Sequence, residues 1–467
     1  MEYPPLTPMF GASSSDFALA LAVVLAIVVL AAILMCVKIV KQAECMVVER
    51  FGKYSKTLDA GINFIVPVMD KPRAIHWRSK RTDISGVEYV MTVEKTAIDL
   101  REQVFDFAKQ NVITKDNVNI EIDAMLYFQI TDETHWGIFH GDNSGYYEAY
   151  RCLARLYRHL SDEAAANRWE KEAAQLRQAT NDLCWNGSFY AHRVPLDEFR
   201  IDGVDESTQL SLSNPMAINR GLASCEQAQA MLDEYIQRAQ VGSSFAPWYS
   251  IDPPFPDGCF GDPLLVGGAY INGGIFPLVG GELARAAFAN GRERLGVETL
   301  RRYADLIAAT GETYLWYFPD GRPSSVEAST SPQATATDGW GSSAILFGLV
   351  EGLAGVTDVD ACFRRIEISP RWAAAEIETA RVHMAYAASG AGVGYVYEQG
   401  TDGCRCSLYA DGATVHLHLL LPAGKDLVGM EIGGQRVECA RTVVGESVYA
   451  DADLTVDGQT IVELRFT

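Results

Sequence analysis

The sequence predicts a multidomain chain with one transmembrane helix, a small α+β domain, a region of paired helices and a C-terminal antiparallel β-sandwich. Three observations predict this order: an uncharged apolar run near the start, strand-type alternation after it, and helical spacing that gives way again to alternation. With 467 residues, the chain also exceeds the size of one compact core. The expected segments are a tail at 1–16, the membrane helix at 17–37, and domains at 44–132, 137–356 and 357–467.

Residues 17–37 contain no charge, side-chain amide or proline, and Asp16 and Lys38 bound them. A helix of this length crosses a hydrocarbon core of about 30 Å. A cleaved signal peptide is the alternative, but the preceding tail lacks Lys and Arg and the run is longer than a usual signal core. Lys38 and Lys41 follow the run, so the positive-inside rule predicts a single-pass membrane protein, with a lipid bilayer as partner and cytoplasmic C-terminal domains.

Composition excludes several classes of function. The formal charge of −21 argues against nucleic acid as a partner, because phosphate binding needs clustered Lys and Arg. The ten cysteines are scattered without a C-x-x-C pair, which predicts isolated thiols rather than a disulfide framework or a zinc cluster. His416 and His418 share one face of a predicted strand without a third ligand, so no metal site is expected.

Two blocks after the apolar run have strand character. ECMVVERFGKY at 44–54 leads through a turn to DAGINFIVP at 59–67, and NVITKDNVNIEIDAMLYFQIT at 111–131 alternates apolar and polar residues. These blocks, with the run before them, resemble stomatin-like proteins of the stomatin/prohibitin (band 7, SPFH) family. The resemblance implies a membrane-anchored, homo-oligomeric scaffold without enzyme chemistry. The remainder of the family's domain and its coiled-coil helix are missing after Asp132.

The pattern changes at residues 133–136 without a Pro/Gly/Ser linker. Apolar residues then follow a helical period, with long loops rich in Gly, Pro and aromatic residues between the helices. Beyond residue 357, alternating segments broken by Asp-Gly and Gly-Gly turns predict strands. The helices are expected at 146–160, 162–183, 224–240, 280–290, 292–309 and 341–353, the loops at 202–220, 246–274 and 311–339, and strands at 413–421, 427–432 and 460–466.

Four motifs occur between residues 183 and 372: LCWNGSFY at 183–190, YINGGIFP at 270–277, DGWGSS at 338–343 and IEISPRW at 366–372. In this order they resemble six-hairpin, (α/α)6-barrel glycoside hydrolases such as trehalases and glucoamylases. The resemblance implies an α/α toroid and a carbohydrate substrate, with no cofactor. About four hairpins are predicted where the family has six, so the toroid is expected to be partial, with an apolar wall exposed near residue 146.

Glycoside hydrolysis needs two carboxyl groups, one as acid and one as base, about 6.5 to 9.5 Å apart for single displacement. Glu206 is the expected acid, with Asp205 beside it, and the resemblance implies Glu327 as base. Glu312 and Asp338 are further candidates. The alternative for Asp205 and Glu206 is that they only favour the start of a helix.

Aromatic and polar residues in the same loops suit sugar binding by ring stacking and hydrogen bonding, although such aromatic residues are as often part of a core. The expected substrate-binding residues are Trp248, Tyr249, Tyr314, Trp316, Trp340, Asn272 and Arg220. Glycine-rich segments at 257–262 and 267–268 lack the lysine of a phosphate loop, and no G-x-S-x-G motif is present. Nucleotide binding and acyl hydrolysis through a nucleophile elbow are therefore not expected.

Three functions remain open on sequence grounds. The first is a membrane-anchored glycoside hydrolase that acts by single displacement. The second is a band 7-type membrane scaffold whose C-terminal region is inert or binds glycans. The third is a non-functional fusion of two truncated families, because both resemblances break off near Asp132.

Overall fold

The chain divides into two compact units, Met1–Trp136 and Gly137–Thr467, in a computed structural model. The division lies close to the point at which the sequence pattern changes. The structure describes residues 23, 36–42, 44–51, 53–58, 60–67, 69–82, 88–99, 103–106, 110–113, 119–122, 125–128, 137–195, 201, 203–260, 262–325 and 336–467.

The predicted membrane-spanning helix needs correction. None of the helices among the described residues is long and apolar enough to cross a bilayer. Val37, the expected last residue of that helix, begins a strand instead. Residues 17–22 and 24–35 of the segment lie outside the described residues. The transmembrane assignment, and with it the single-pass membrane localisation with cytoplasmic domains, is therefore contradicted.

Described residues of the first unit form short antiparallel strands. The strands are β1 (Val37–Val40), β2 (Glu44–Arg50), β3 (Lys53–Leu58), β4 (Gly61–Phe64), β5 (Asp70–Pro72), β6 (Ile75–Thr82), β7 (Glu88–Lys95), β8 (Ile98–Asp99), β9 (Gln103–Asp106), β10 (Gln110–Ile113), β11 (Asn119–Ile122) and β12 (Met125–Phe128). The first strand predicted from residue 44 is present as β2, but β2 pairs with β3, which lies in the predicted turn, and with β5 and β8. The second predicted strand, at 59–67, contains β4, which pairs with β1. Val40, Val48, Leu58 and Ile65 form a small buried core.

The first part of the second unit consists of helical hairpins. The helices in the described part of this unit are α1 (His140–His159), α2 (Glu163–Cys184), α3 (Ser213–Asn219), α4 (Cys225–Val241), α5 (Pro277–Ala289), α6 (Glu293–Thr310) and α7 (Trp340–Phe347), which continues as a π-helical turn at Gly348–Leu353. Helices α1 and α2, α3 and α4, and α5 and α6 follow one another as pairs, while α1, α3, α5 and α7 pack side by side as an inner row.

Local sequence explains where these helices start and how closely they pack. Asp162 caps α2 by accepting a hydrogen bond from the backbone of Ala165 at 3.0 Å, and Ser224 caps α4 in a reciprocal capping box. Gly281 lets α5 approach α7, because a Cβ atom there would lie 2.2 Å from the carbonyl carbon of Ala344. The inner row therefore depends on small residues at its contacts.

Both ends of the inner row expose apolar side chains. On α1, Tyr146, Leu156 and Leu160 are 61%, 52% and 63% exposed, and on α7 the side chains of Trp340 and Leu346 are 70% and 57% exposed. A closed toroid would cover these faces with neighbouring helices. The described helices thus form part of a ring, with three hairpins and one further inner helix.

The second part of this unit is a sheet of nine strands around one core. The strands are β17 (Val356–Asp360), β18 (Arg365–Ile368), β19 (Thr379–Ala385), β20 (Gly392–Gln399), β21 (Gly403–Leu420), β22 (Leu427–Ile432), β23 (Gln435–Val437), β24 (Ala440–Val444) and β25 (Ser447–Phe466). The expected antiparallel sandwich appears as one continuously bonded sheet in which β18 and β21 pair in parallel. Its two long strands, β21 and β25, run antiparallel and share a bulge between Ala410 and Ala413.

Polar contacts join the helices to the sheet. Glu293, at the start of α6, is buried and accepts hydrogen bonds from Ser447 at 2.5 Å and from the hydroxyl of Tyr449. Arg371 is also buried and donates to the carbonyls of Gly352 at 2.7 Å and Ser369 at 3.1 Å. These contacts bind the two parts of the unit together.

Candidate functional site

The loops that precede α3, α5 and α7 meet at one end of the inner row, which we call the rim. The backbone bridge between Ile275 and Tyr317 joins the loops before α5 and α7, and the bridges from Ala191 to Leu210, from Tyr249 to Ile275 and from Tyr314 to Thr337 each lie within one loop. Two short pairs contribute at this end as well, β13 (Gly137–Phe139) with β14 (Arg193–Pro195) and β15 (Leu210–Ser211) with β16 (Ile251–Asp252). Most of the expected site residues lie in these loops.

Glu206 lies in a single 3-10 turn before α3 and forms a bidentate ion pair with Arg193. The Arg193 Nε atom is 2.7 Å from Glu206 Oε2 and Nη2 is 3.0 Å from Oε1. The two side chains are 3% and 9% exposed. A fork of this kind is a charge-assisted pair with two parallel hydrogen bonds. The geometry suits a base or an electrostatic role better than the proton donor expected from the sequence.

Asp205 is exposed and caps the same turn. Its carboxylate accepts hydrogen bonds from the hydroxyl of Ser207 at 2.6 Å and from the Ser207 backbone at 3.1 Å. These bonds lower the pKa of Asp205. Both acids of this loop therefore accept hydrogen bonds from neighbouring side chains.

The carboxyl groups of the last rim loop are placed differently. Asp338 is half-buried and accepts a hydrogen bond at 3.2 Å from the backbone of Gly341, in the first turn of α7. Glu312 is exposed at the start of the loop. Glu327 falls within 326–335, outside the described residues.

The aromatic residues expected to bind sugar fall into two groups. Trp248, Tyr249 and Trp316 are 0%, 4% and 2% exposed and pack in the core of the helical region. Tyr314 is half-buried, whereas Trp340, the first residue of α7, is 70% exposed. Trp340 is the ring most open to a ligand in this set.

The two polar binding candidates have partners within the protein. Asn272 is buried and bonds the backbone of Phe255 through both ends of its amide, at 2.7 and 3.1 Å, and also the carbonyl of Leu265. Arg220 follows α3 at the end opposite the rim, where it bonds Ser144 at 2.8 Å and Glu148 at 3.2 Å. The structure therefore separates Arg220 from the other candidates.

Two cavities are formed by other parts of this unit. One of about 630 Å³ lies between α1, α2 and the start of α4 and is lined by Tyr147, Arg151, Arg177 and Asn181. The other, of about 1090 Å³, lies between the helices and the sheet and touches the candidate Trp248. Neither is lined by the candidate carboxylates.

Sequence reasoning missed Arg193, which pairs with Glu206, and the two histidines His140 and His192. Arg193 lies thirteen positions upstream, on β14, and the β-bridge between Ala191 and Leu210 and the hydrogen bond from Asn186 to the Ser207 carbonyl bring the two segments together. His140 is buried and His192 is half-buried, and burial is the main cause that lowers the pKa of each, to about 4 for His140. The only sequence feature that could have pointed to these residues is the HRV segment at 192–194, in which a histidine and an arginine are adjacent.

The expectation that His416 and His418 have no third ligand is wrong. Antiparallel pairing of β21 with β25 brings Asp451 to them.

Comparison with known proteins agrees with the resemblance of the N-terminal segment to the band 7 family. Residues 38–136 match the SPFH domain / Band 7 family. An uncharacterised protein of Mycobacterium bovis is 36% identical over 123 residues, 26% of each chain. The human protein named stomatin-like protein 2, mitochondrial, is 32% identical over 93 residues, 20% of each chain. The chain thus spans about a quarter or less of the length of these relatives.

Solved structures similar to this chain include the α-L-rhamnosidase of Dictyoglumus thermophilum, at 10% identity and a TM-score of 0.44, covering 68% of this chain and 31% of that one. A GH78 family rhamnosidase of Bacillus sp. GL1 has 16% identity and a TM-score of 0.44, covering 64% and 28%. Residues 38–136 are thus similar to the band 7 (SPFH) family, and the solved structures similar to this chain include glycoside hydrolases.

Proposed function

We propose that the C-terminal unit hydrolyses glycosidic bonds with a pair of carboxyl groups, by single displacement, and without a cofactor. The observation that carries the proposal is the rim, where loops from successive hairpins bring acids from separate segments to one end of the inner row. Single displacement needs an acid and a base far enough apart to admit a water molecule. Acids on two different loops suit that requirement.

The surroundings of each acid suggest its role. Glu206 is held by the Arg193 fork and Asp205 accepts a hydrogen bond from Ser207, so we assign the base to this loop, with Glu206 as the first choice. The acid then comes from the last rim loop, where Glu327 and Asp338 are the candidates and Glu312 is a third. Trp340 is the expected stacking surface for a sugar ring, because its indole is exposed beside Asp338 in sequence.

The test is hydrolysis of a panel of α- and β-linked glycosides by the full chain. Glu206→Gln, Glu327→Gln and Asp338→Asn are compared with Glu172→Gln, which changes an exposed acid on the outer helix α2. Loss of a catalytic acid or base is expected to lower kcat by about 10²-fold or more. Absence of hydrolysis, or equal activity in all variants, would remove the proposal.

The Glu206–Arg193 ion pair and the internally bonded Asn272 favour a second candidate. In this alternative, the band 7 segment assembles the chain into homo-oligomers, and the C-terminal unit is catalytically inert or binds glycans. Light scattering on the full chain tests the assembly, and titration with oligosaccharides tests binding without turnover. A monomer that neither binds nor cleaves glycans would instead support a non-functional fusion.

A further inference from the structure

We propose that His416, His418 and Asp451 form a binding site for a divalent transition metal, with Zn²⁺ as the best-suited ion. This site lies on the sheet of the C-terminal unit and is independent of the proposed hydrolysis. The argument rests on strand register, on the distances among the three side chains and on the residues that hold them.

Strand register places the three residues together. His416 and His418 are two positions apart on β21, so their side chains lie on the same face. On the adjacent strand β25, Asp453 pairs with His416 and Asp451 pairs with His418. One potential ligand atom from each of His416, His418 and Asp451 lies within 4.8 Å of the other two.

These distances are close to those of a real metal site. Zn²⁺ binds imidazole nitrogen and carboxylate oxygen at about 2.0 to 2.2 Å in a tetrahedral arrangement, so two of its ligands stand about 3.4 Å apart. His418 Nδ1 is 2.6 Å from Asp451 Oδ1, and His416 Nδ1 is 2.8 Å from Asp453 Oδ1. Small side-chain rotations therefore bring two nitrogens and one oxygen around a single ion.

Neighbouring groups orient two of the ligands. The hydroxyl of Thr442, on β24, donates to the second oxygen of Asp451 at 2.5 Å. The ring of Tyr449 stacks on His418 with centroids 3.8 Å apart and planes 10° apart. Such supporting contacts are typical of metal ligands and fix their direction. His418 and Asp451 are largely buried, whereas His416 is 44% exposed, so the site is open to solvent on one side.

The ligand types select the ion. Two imidazoles with one carboxylate suit Zn²⁺ and similar transition metals, whereas Mg²⁺ and Ca²⁺ prefer a full set of oxygen ligands. The alternative is a pair of His–Asp contacts that only stabilise the strands. The contact of His416 with Asp453, whose side chain is 79% exposed, is of the kind that this alternative describes.

The test is calorimetric titration of the full chain, stripped of metal, with ZnCl₂. We expect one equivalent to bind at this site, with affinity reduced about tenfold or more in His416→Gln and in Asp451→Asn. The matched control is His383→Gln, because His383 is an exposed histidine on β19 of the same sheet. Equal Zn²⁺ affinity in the wild type, His416→Gln and Asp451→Asn would overturn the proposal.

Two further measurements separate loss of the metal site from misfolding and from Zn²⁺ binding by cysteine. Circular dichroism of His416→Gln establishes that the variant is folded, and the exposure of His416 makes it the safer of the two ligand changes. Cysteine thiols also bind Zn²⁺, so Co²⁺ is used as a spectroscopic probe. A d–d spectrum without thiolate charge transfer, lost in His416→Gln, supports the site, and a thiolate spectrum that persists in that variant contradicts it.

Discussion

Arg193 donates two parallel hydrogen bonds, of 2.7 and 3.0 Å, to the carboxylate of Glu206, and both side chains are almost fully buried. Removing one member leaves an uncompensated buried charge, so Arg193→Met is expected to lower the free energy of unfolding by about 3 to 5 kcal/mol. The double variant Arg193→Met/Glu206→Gln is expected to lose less than the sum of the single changes. Urea unfolding of all three variants measures this coupling, and additive losses would mean that the ion pair contributes little.

His140 predicts a pH dependence of stability. Burial lowers its pKa from 6.5 in the unfolded chain to about 4 in the folded one. Between these values the unfolded state binds more protons, so stability is retained above pH 6.5 and falls as the pH drops toward 4, by up to about 3 kcal/mol. His140→Asn is expected to flatten this slope, whereas His159→Asn, at an exposed position on the same helix, keeps it. Urea midpoints measured from about pH 4 to about pH 8, on either side of the ordinary histidine pKa, report the result, and parallel curves for wild type and His140→Asn would contradict it.

Substitutions of Trp248 and Trp340 compare a tryptophan of the core with one on the surface. Trp248 is fully buried against Phe245 and Tyr303, so Trp248→Ala is expected to destabilise the unit by about 3 to 5 kcal/mol. Trp340 is exposed, so Trp340→Ala is expected to change stability by about 0.5 kcal/mol or less. Thermal unfolding compares the two. A loss of oligosaccharide binding in Trp340→Ala at unchanged Tm would assign its ring to the ligand.

Substitution of Gly281 tests whether the contact between α5 and α7 has room for a side chain. A Cβ atom at this position would lie 2.2 Å from the Ala344 backbone, which cannot move without separating α5 from α7. Gly281→Ala is therefore expected to cost about 1 to 3 kcal/mol. Gly339→Ala is the control, because its added Cβ meets nothing within 4 Å among the described residues. Equal Tm values for the two variants would contradict this prediction, because they would mean that α5 and α7 shift apart at little energetic cost.

The helices of the second unit were largely predictable because their amphipathic periods are long. The predicted segments 162–183 and 224–240 correspond to Glu163–Cys184 and Cys225–Val241. The short helix Ser213–Asn219 was missed inside a predicted loop, because seven residues with a proline among them give no clear period. The membrane helix was predicted from hydropathy alone, and the described helices do not support it.

The site was less predictable, because its contacts join distant parts of the chain. The sequence identified the loops that carry Asp205, Glu206 and Asp338, but a partner such as Arg193 depends on the β-bridge between Ala191 and Leu210. Asp451 reaches His418 only through the register of two strands. Trp248 and Trp340 look alike in sequence, and only packing decides which one is buried.

The buried side chain of Glu293 is bonded to Ser447 and Tyr449, so the helical part and the sheet of the second unit cannot be separated without breaking these contacts. A truncation at residue 356 would remove both hydrogen-bond donors of Glu293 and leave the cut surface of both halves facing water. Expression trials should consequently keep 137–467 as one piece, and a single heat-absorption peak is anticipated for its melting.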